Sequence, residues 1–327
     1  MLALIVRRLL LLPVLLLAVY TIVLALAWAI PGNPLDKPEG RRPSPEVVEA
    51  MKAQYNLDSF PRFYTSYLAN ITGVAWARSR LDTPKSPTTT HTERDIFDFG
   101  PSLSYKDQRV GSIIAASLPV SVTIGAAAIL IALLLGTAAG VIGAIKPKSL
   151  ADTGTLALAL LGVSLPSFVT GSALLLVFAV WLRLLPVAEW GSFRDLVLPS
   201  VTLSLPYAGY IARLARLGMI DAMGEDYIRT ARAKGVREWR VVMRHALKNA
   251  FLPVLSYLGP ACALAMTGSF VVERVFSIPG MGQHFVNAVQ NKDVFLLIGV
   301  VLVFSTLLIV LNLAVDVLYR WVDPRIA

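Results

Sequence analysis

The chain has 327 residues, of which 56% are hydrophobic and only 16% charged, with a mean hydropathy of +0.65. Soluble domains carry about 25% charged residues, so this balance belongs to a membrane protein. The net charge of +9 gathers beside apolar stretches, which reads as a cytoplasmic face and excludes a nucleic-acid surface. A single cysteine, Cys262, rules out an internal disulfide framework, and His91, His245 and His284 lack metal-ligand spacing.

A helix crosses the hydrocarbon core with about 20 apolar residues. The segments that satisfy this predict an all-α polytopic protein with six transmembrane helices and both termini cytoplasmic. The first segment runs from Leu9 to Ile30, behind Arg7 and Arg8, and stops at Pro31-Gly-Asn-Pro34. Ala25-Leu-Ala27 resembles a signal-peptide cleavage site, but the apolar stretch exceeds the usual core of about 7–15 residues, so a retained span over residues 1–30 is expected. Residues 31–110 form an external segment. Within it, Ser44 to Tyr55 reads as a short amphipathic helix: Ser44 caps it, Pro45 suits its first turn, and Val47, Val48 and Met51 share a side. Arg78 to Thr92, dense in Pro, Ser, Thr and charge, reads as a flexible loop.

Residues 111–327 carry five further spans, with a cytoplasmic loop over 219–250. Their expected limits are Ile113 to Ile145, Thr155 to Leu182, Leu198 to Gly218, Phe251 to Val272 and Val294 to Tyr319. Short basic loops set the orientation. Arg7 and Arg8, Lys146 and Lys148, the run from Arg229 to Lys248, and Arg320 with Arg325 all fall on one side, the cytoplasmic one.

The loop from Met219 to Ala250 is the most distinctive part of the chain. Asp221, Glu225 and Asp226 precede its basic residues, as the dipole of a helix prefers acids at its start. Ala231 and Ala233 favour helix and leave room for close approach by another protein. Gly235 permits a sharp turn. Arg237, Arg240, Arg244 and Lys248 then recur at spacings of three and four, a basic stripe suited to anionic headgroups. Two readings stand at this point: a coupling surface for a soluble partner, or a loop that only fixes topology.

The run Asp226-Tyr-Ile-Arg-Thr-Ala-Arg-Ala-Lys-Gly235, followed by Arg244-His-Ala-Leu-Lys-Asn-Ala-Phe-Leu-Pro253, resembles the EAA-type loop of bacterial ABC importer permeases. Within these it is most similar to the branch for oligopeptides, dipeptides and nickel. Ile30-Pro-Gly-Asn-Pro34, Phe99-Gly-Pro-Ser-Leu103, Glu273-Arg-Val-Phe-Ser-Ile-Pro-Gly-Met-Gly282 and Asp323-Pro-Arg325 resemble further signatures of that branch, so the likeness covers nearly the whole chain. The departures are Arg229 in place of the EAA glutamate, Thr230-Ala231 in place of the alanine pair, Asn33 where Asp is usual, and Arg78 to Thr92 as an insertion.

The resemblance implies a permease subunit of an ATP-driven peptide importer in the bacterial inner membrane, and no enzyme in its own right. It implies a second homologous permease, two cytoplasmic ATPases and an external solute-binding protein as partners, with the lipid bilayer around them. The ATPase-coupling helix would comprise Glu225, Asp226, Tyr227, Arg229, Thr230, Ala231, Arg232 and Lys234, with Gly235 as its turn. No Gly-x-x-x-x-Gly-Lys-Ser/Thr phosphate loop occurs in the chain, so ATP hydrolysis is assigned to partner subunits, and no cofactor is expected. Nickel or another small solute is the alternative cargo. A stand-alone secondary transporter would need polar ligands at mid-membrane, and a membrane hydrolase would need a catalytic constellation there; neither pattern is found.

Other marked residues have plainer readings. Pro119, Pro166 and Pro206 are read as kinks within spans. Gly125, Gly136, Gly140 and Gly143 suit close helix packing. Asp316, one turn from Asn312, is expected to form an interfacial ion pair with Arg320. Glu273, Arg274, Pro279 and Gly280 form a candidate outer gate or sit at the headgroups, before a short external helix within Ser277 to Gln290.

Overall fold

The computed structural model describes residues 2–29, 45–81, 96–105, 107–187 and 189–322. Some features read from the sequence lie outside them: the Pro31 to Pro34 stop, the Ser44 cap, residues 82–92 of the loop with His91, and Asp323 to Arg325; residues 78–81, read as the start of that loop, are instead the last turn of a helix, Val74–Leu81. The side chains of Val47, Val48, Met51 and Arg320 lie outside them too.

Among the described residues fifteen α-helices follow one another: α1 (Leu2–Ala29), α2 (Pro45–Tyr55), α3 (Phe60–Ile71), α4 (Val74–Leu81), α5 (Val110–Ile145), α6 (Leu150–Ser164), α7 (Ser167–Leu174), α8 (Phe193–Gly224), α9 (Asp226–Ala233), α10 (Glu238–Arg240), α11 (Leu247–Ala250), α12 (Leu252–Met266), α13 (Phe270–Val275), α14 (Met281–Gln290) and α15 (Val294–Val322). Two π-helical segments, Leu175–Trp181 and Val241–Ala246, continue α7 and join α10 to α11. Among the described residues there is no strand, only an isolated bridge between Pro101 and Arg109. The protein is all-α, and α2 forms where the amphipathic pattern places it.

Among the described residues four stretches are long and apolar enough to cross a membrane: Val6–Ala29, Val110–Ile145, Leu252–Val275 and Val294–Leu318. The third expected span departs from its reading. Thr155 to Leu182 is one apolar run, yet α6 and α7 meet at 106°. Pro166 lies at that break, where it precedes α7 with ψ of 140°; the residue read as a kink ends one helix and starts the next. The span expected over Phe251 to Val272 is likewise interrupted between α12 and α13, where Gly268 has a φ of +91°. Leu198 to Gly218 falls inside α8, which begins at a capping box of Ser192 and Asp195 and carries Arg213 and Arg216 in its second half. Pro119 and Pro206 lie within the unbroken helices α5 and α8.

The chain divides into two units. One comprises Met1–Leu12, Leu118–Gln283 and Thr306–Ala327, the other Pro13–Ser117 and His284–Ser305. In the first, Ile124, Ala128, Leu203, Leu255, Leu258 and Ala265 pack into a buried core from α5, α8 and α12. Small residues set the helix spacing. Gly125 faces Ala265, Gly136 faces Ala208 and Ile211, and Gly140 faces Ala212 and Ala215, so the close packing expected of these glycines is present. Asp316 pairs with Arg8 at 2.5 Å, and the pair expected with Arg320 falls on a side chain outside the described residues.

The second unit is built on aromatic rings. Phe63 and Tyr67 stack at 5.4 Å between centroids, and both meet Phe295 edge-on at 5.5 Å. The buried Tyr67 hydroxyl donates to the Phe99 carbonyl at 3.1 Å, and burial raises its pKa well above the usual phenol value. Asp293 accepts from the Ser102 hydroxyl at 2.5 Å, from Ser104 N–H at 2.9 Å and from Leu296 N–H at 3.1 Å. One carboxylate thus caps α15 and holds the approach to α5.

Candidate functional site

Helix α9 stands at the end of α8, displaced from it by Glu225, whose ψ of 150° breaks the helical path. Its sequence places Ile228 and Ala231 on one side, three residues apart, and both are buried. They join Met219, Ala222, Val241, Val242, Ala246 and Ala250 in a separate hydrophobic cluster. Burying a side chain the size of Ile228 contributes about 1.5–3 kcal/mol, so the short helix is held by this seat more than by its own propensity.

The end of α9 is a Schellman turn. Val236 N–H donates to the Ala231 carbonyl at 3.2 Å and Gly235 N–H to that of Arg232 at 2.9 Å, with Gly235 at a φ of +74°. Two side-chain bonds brace the hairpin from outside. Arg232 bonds the Glu238 carboxylate through Nε at 2.7 Å and Nη2 at 3.3 Å, and Asn249 Nδ2 donates to the Tyr227 hydroxyl at 3.0 Å. Arg229 and Asp226 pair at 3.3 Å, but both are largely exposed, so the pair contributes little.

Most of the residues singled out in the sequence therefore share one exposed face: Glu225, Asp226, Tyr227, Arg229, Thr230, Arg232, Lys234 and Gly235. Ala231 is the exception. It points into the cluster beneath, so the small exposed residue open to an approaching partner is Ala233. Arg237, Arg240, Arg244 and Lys248 are all exposed, although a π-helical segment runs through the middle of their stripe. Its i→i+5 bonding departs from the period of an ordinary helix while Val241, Val242, Ala246 and Ala250 keep the opposite side buried.

Glu273, Arg274, Pro279 and Gly280 lie at the other marked position, and the structure separates them. Glu273 is buried, whereas Arg274 and Pro279 are exposed. The Glu273 carboxylate accepts from the Ser121 hydroxyl at 2.7 Å and from Gln283 N–H at 3.2 Å, and Gly282 N–H also donates to it. Ser121 in turn accepts from Met281 N–H at 2.8 Å. The carboxylate therefore caps the start of α14 and ties it to α5. Gly280 lies so close to it that any β-carbon would collide with the carboxyl group. Ser121 is a member of this arrangement that the sequence did not mark, because its partner lies 152 residues away. A separate contact that the sequence did not mark is the ion pair of Asp152 with Arg216, which links α6 to α8. No group of three or more His, Cys, Asp or Glu among the described residues is placed to hold a metal ion.

The chain is 41% identical over 300 residues to the oligopeptide transport system permease protein OppB of Salmonella typhimurium, covering 90% of each chain. It is 36% identical over 311 residues to the dipeptide transport system permease protein DppB of Bacillus subtilis, covering 95% of this chain and 93% of that one. The likeness to DppB of Lactococcus lactis, 34% over 324 residues, spans 98% of both. Among solved structures, the inward-facing MetNI methionine ABC transporter contains a chain matched with a TM-score of 0.54 at 15% identity, over 65% of this chain and 97% of that one, which establishes a shared fold. The profile of the binding-protein-dependent transport system inner membrane component matches residues 132–327, the part that holds the α9 hairpin and Glu273, and the chain belongs to that family.

Proposed function

We propose that this chain is one of two membrane subunits of an ATP-driven peptide importer, lying in the bacterial inner membrane with six spans and both termini in the cytoplasm. A second, homologous permease completes the pathway, two ATPases bind on the cytoplasmic side, and an external binding protein delivers the substrate. The observation that carries this reading is the α9 hairpin: a charged helix held on a buried apolar seat, braced by the Arg232–Glu238 bond, with its remaining side chains exposed. Such a helix is a rigid knob that a soluble partner can grip and move. Its displacement by a closing ATPase pair then drives rigid-body rearrangement of the spans.

Peptides are the proposed cargo because the relatives named above carry the names of oligopeptide and dipeptide transport systems. At the outer gate, Glu273 and Gly280 set the shape of the Ser277 to Gly282 connection, and Arg274 and Pro279 form its exposed surface.

The test is purification of the tagged chain from its native membrane in mild detergent, with mass spectrometry of what accompanies it. A second permease, one or two ATPases and an external binding protein are expected, and peptides extracted from that binding protein identify the cargo. Recovery of this chain alone, under conditions that keep a reference importer intact, rejects the proposal.

A further inference from the structure

Asp152, which is buried, and Arg216, which is partly exposed, form a bidentate ion pair. Arg216 Nε lies 2.5 Å from Asp152 Oδ1 and Nη2 lies 2.8 Å from Oδ2. The side chain of Asp152 is 3% exposed and that of Arg216 18%. Asp152 does more than pair. Its Oδ2 accepts from Lys148 N–H at 2.7 Å, where Lys148 has a left-handed φ of +65°, and its own N–H reaches the capping Ser149 hydroxyl at 3.3 Å. The turn between α5 and α6 is thus closed on the same carboxylate that holds α8. The third helix arrives through glycine: a β-carbon on Gly143 would stand 2.9 Å from Thr155 Oγ1 and 3.1 Å from Asp152 Oδ1. Helices α5, α6 and α8 meet at one charged node.

The position of the node gives it a consequence. Arg216 lies about two turns before the end of α8, and α9 follows immediately. On another side of α8, Gly218 packs against Ala250, at the root of the chain returning from the hairpin. A buried ion pair is not favoured for stability alone, since an apolar pair of similar size often does as well or better. What a two-pronged pair offers is direction. It resists both sliding and rotation of one helix against another, whereas apolar contacts are non-directional.

We propose that the Asp152–Arg216 pair is the strut that passes displacement of α9 along α8 into α5 and α6, which makes both residues positioning residues for the coupling of ATP hydrolysis to transport. This rests on the importer reading above. The experiment uses the whole complex in proteoliposomes and measures ATP hydrolysed against uptake of a mixture of radiolabelled di- to pentapeptides. Asp152→Asn and Arg216→Gln are expected to keep hydrolysing ATP while peptide moved per ATP falls by about 5- to 150-fold, the span of ordinary coupling free energies. Arg216→Lys, which keeps the charge and loses the fork, is expected to fall between these and the unsubstituted protein. The double variant leaves no unpaired buried charge, so it keeps the test available if a single one fails to assemble, and it is expected to lose no more coupling than either single.

An unchanged ratio in the variants overturns the inference alone. So does failure of every variant to assemble, because that assigns the pair a purely structural role. Absence of ATP-driven peptide uptake by the unsubstituted complex overturns the importer reading and this inference with it.

Discussion

Glu273 is a buried carboxylate whose partners are a hydroxyl and backbone N–H groups at the start of α14. A carboxylate in that setting depends on every donor it has, and the backbone must come close enough to supply them. Gly280 allows that approach, since a β-carbon there would collide with the carboxyl group. Gly280→Ala is therefore expected to destabilise the protein by about 1–3 kcal/mol, as overpacking does in a filled interior. Gly154, inside α6, has open space where its β-carbon would stand, so Gly154→Ala is expected to stabilise by about 0.5–1 kcal/mol. Thermal unfolding of the two detergent-purified variants checks the pair. Equal shifts of the same sign would remove the carboxylate contact as the reason for a glycine at position 280.

Helix α9 separates two roles by face, which makes them separable by mutation. Ile228 is wholly buried, so Ile228→Ala is expected to cost about 2–5 kcal/mol and to loosen the hairpin. Ala233 is exposed, and Ala233→Glu is expected to leave unfolding unchanged within about 0.5 kcal/mol while abolishing capture of the ATPases. Unfolding and co-purification measured on both variants decide the matter; retained ATPase capture by Ala233→Glu would show that the exposed face is not the docking face. This hairpin is the part of the site that sequence reveals best, because its determinants are local. An acid at the start, Ile228 and Ala231 three residues apart, and Gly235 at the turn lie within a few residues of one another. The buried side of Ala231 escapes a reading by composition, since alanine suits a core and a contact surface equally. Elements whose determinants are distant are hidden altogether. Ser121 meets Glu273 across 152 residues, and Asp152 meets Arg216 across 64. The long apolar helices α5 and α15 are legible from hydropathy alone. Yet hydropathy is blind to direction, so the 106° break near Pro166 reads as a continuous span, and neither π-helical segment leaves a mark in composition.

At the scale of the whole chain, the number of crossings decides which side each end occupies, and α8 is the element on which that number turns. Among the described residues four stretches qualify as spans by length and apolarity, and the bent pair of α6 and α7 makes a fifth if it crosses as one span. With five crossings the two ends of the chain lie on opposite sides; with α8 as a sixth they lie on the same side. Helix α8 has 32 residues and so a length of about 48 Å, more than the hydrocarbon core of about 30 Å requires. Two of its charged groups have local reasons that are compatible with crossing: Asp195 sits in the capping box at its start, and the Arg216 charge is met by Asp152 near its end. The basic loops point the same way, since Lys146 and Lys148, which precede α6, and the cations from Arg229 to Lys248, which follow α8, share a side only if an even number of crossings separates them. Single cysteines at Lys148, Arg229 and Gln290 in a Cys262→Ala background, probed with a membrane-impermeant maleimide in intact cells, test this. Labelling is expected at position 290 alone, with positions 148 and 229 reacting only after permeabilisation. Labelling of position 229 in intact cells with position 148 still protected would place α8 on one side of the bilayer, reduce the crossings to five and remove the α9 hairpin from the reach of any cytoplasmic ATPase.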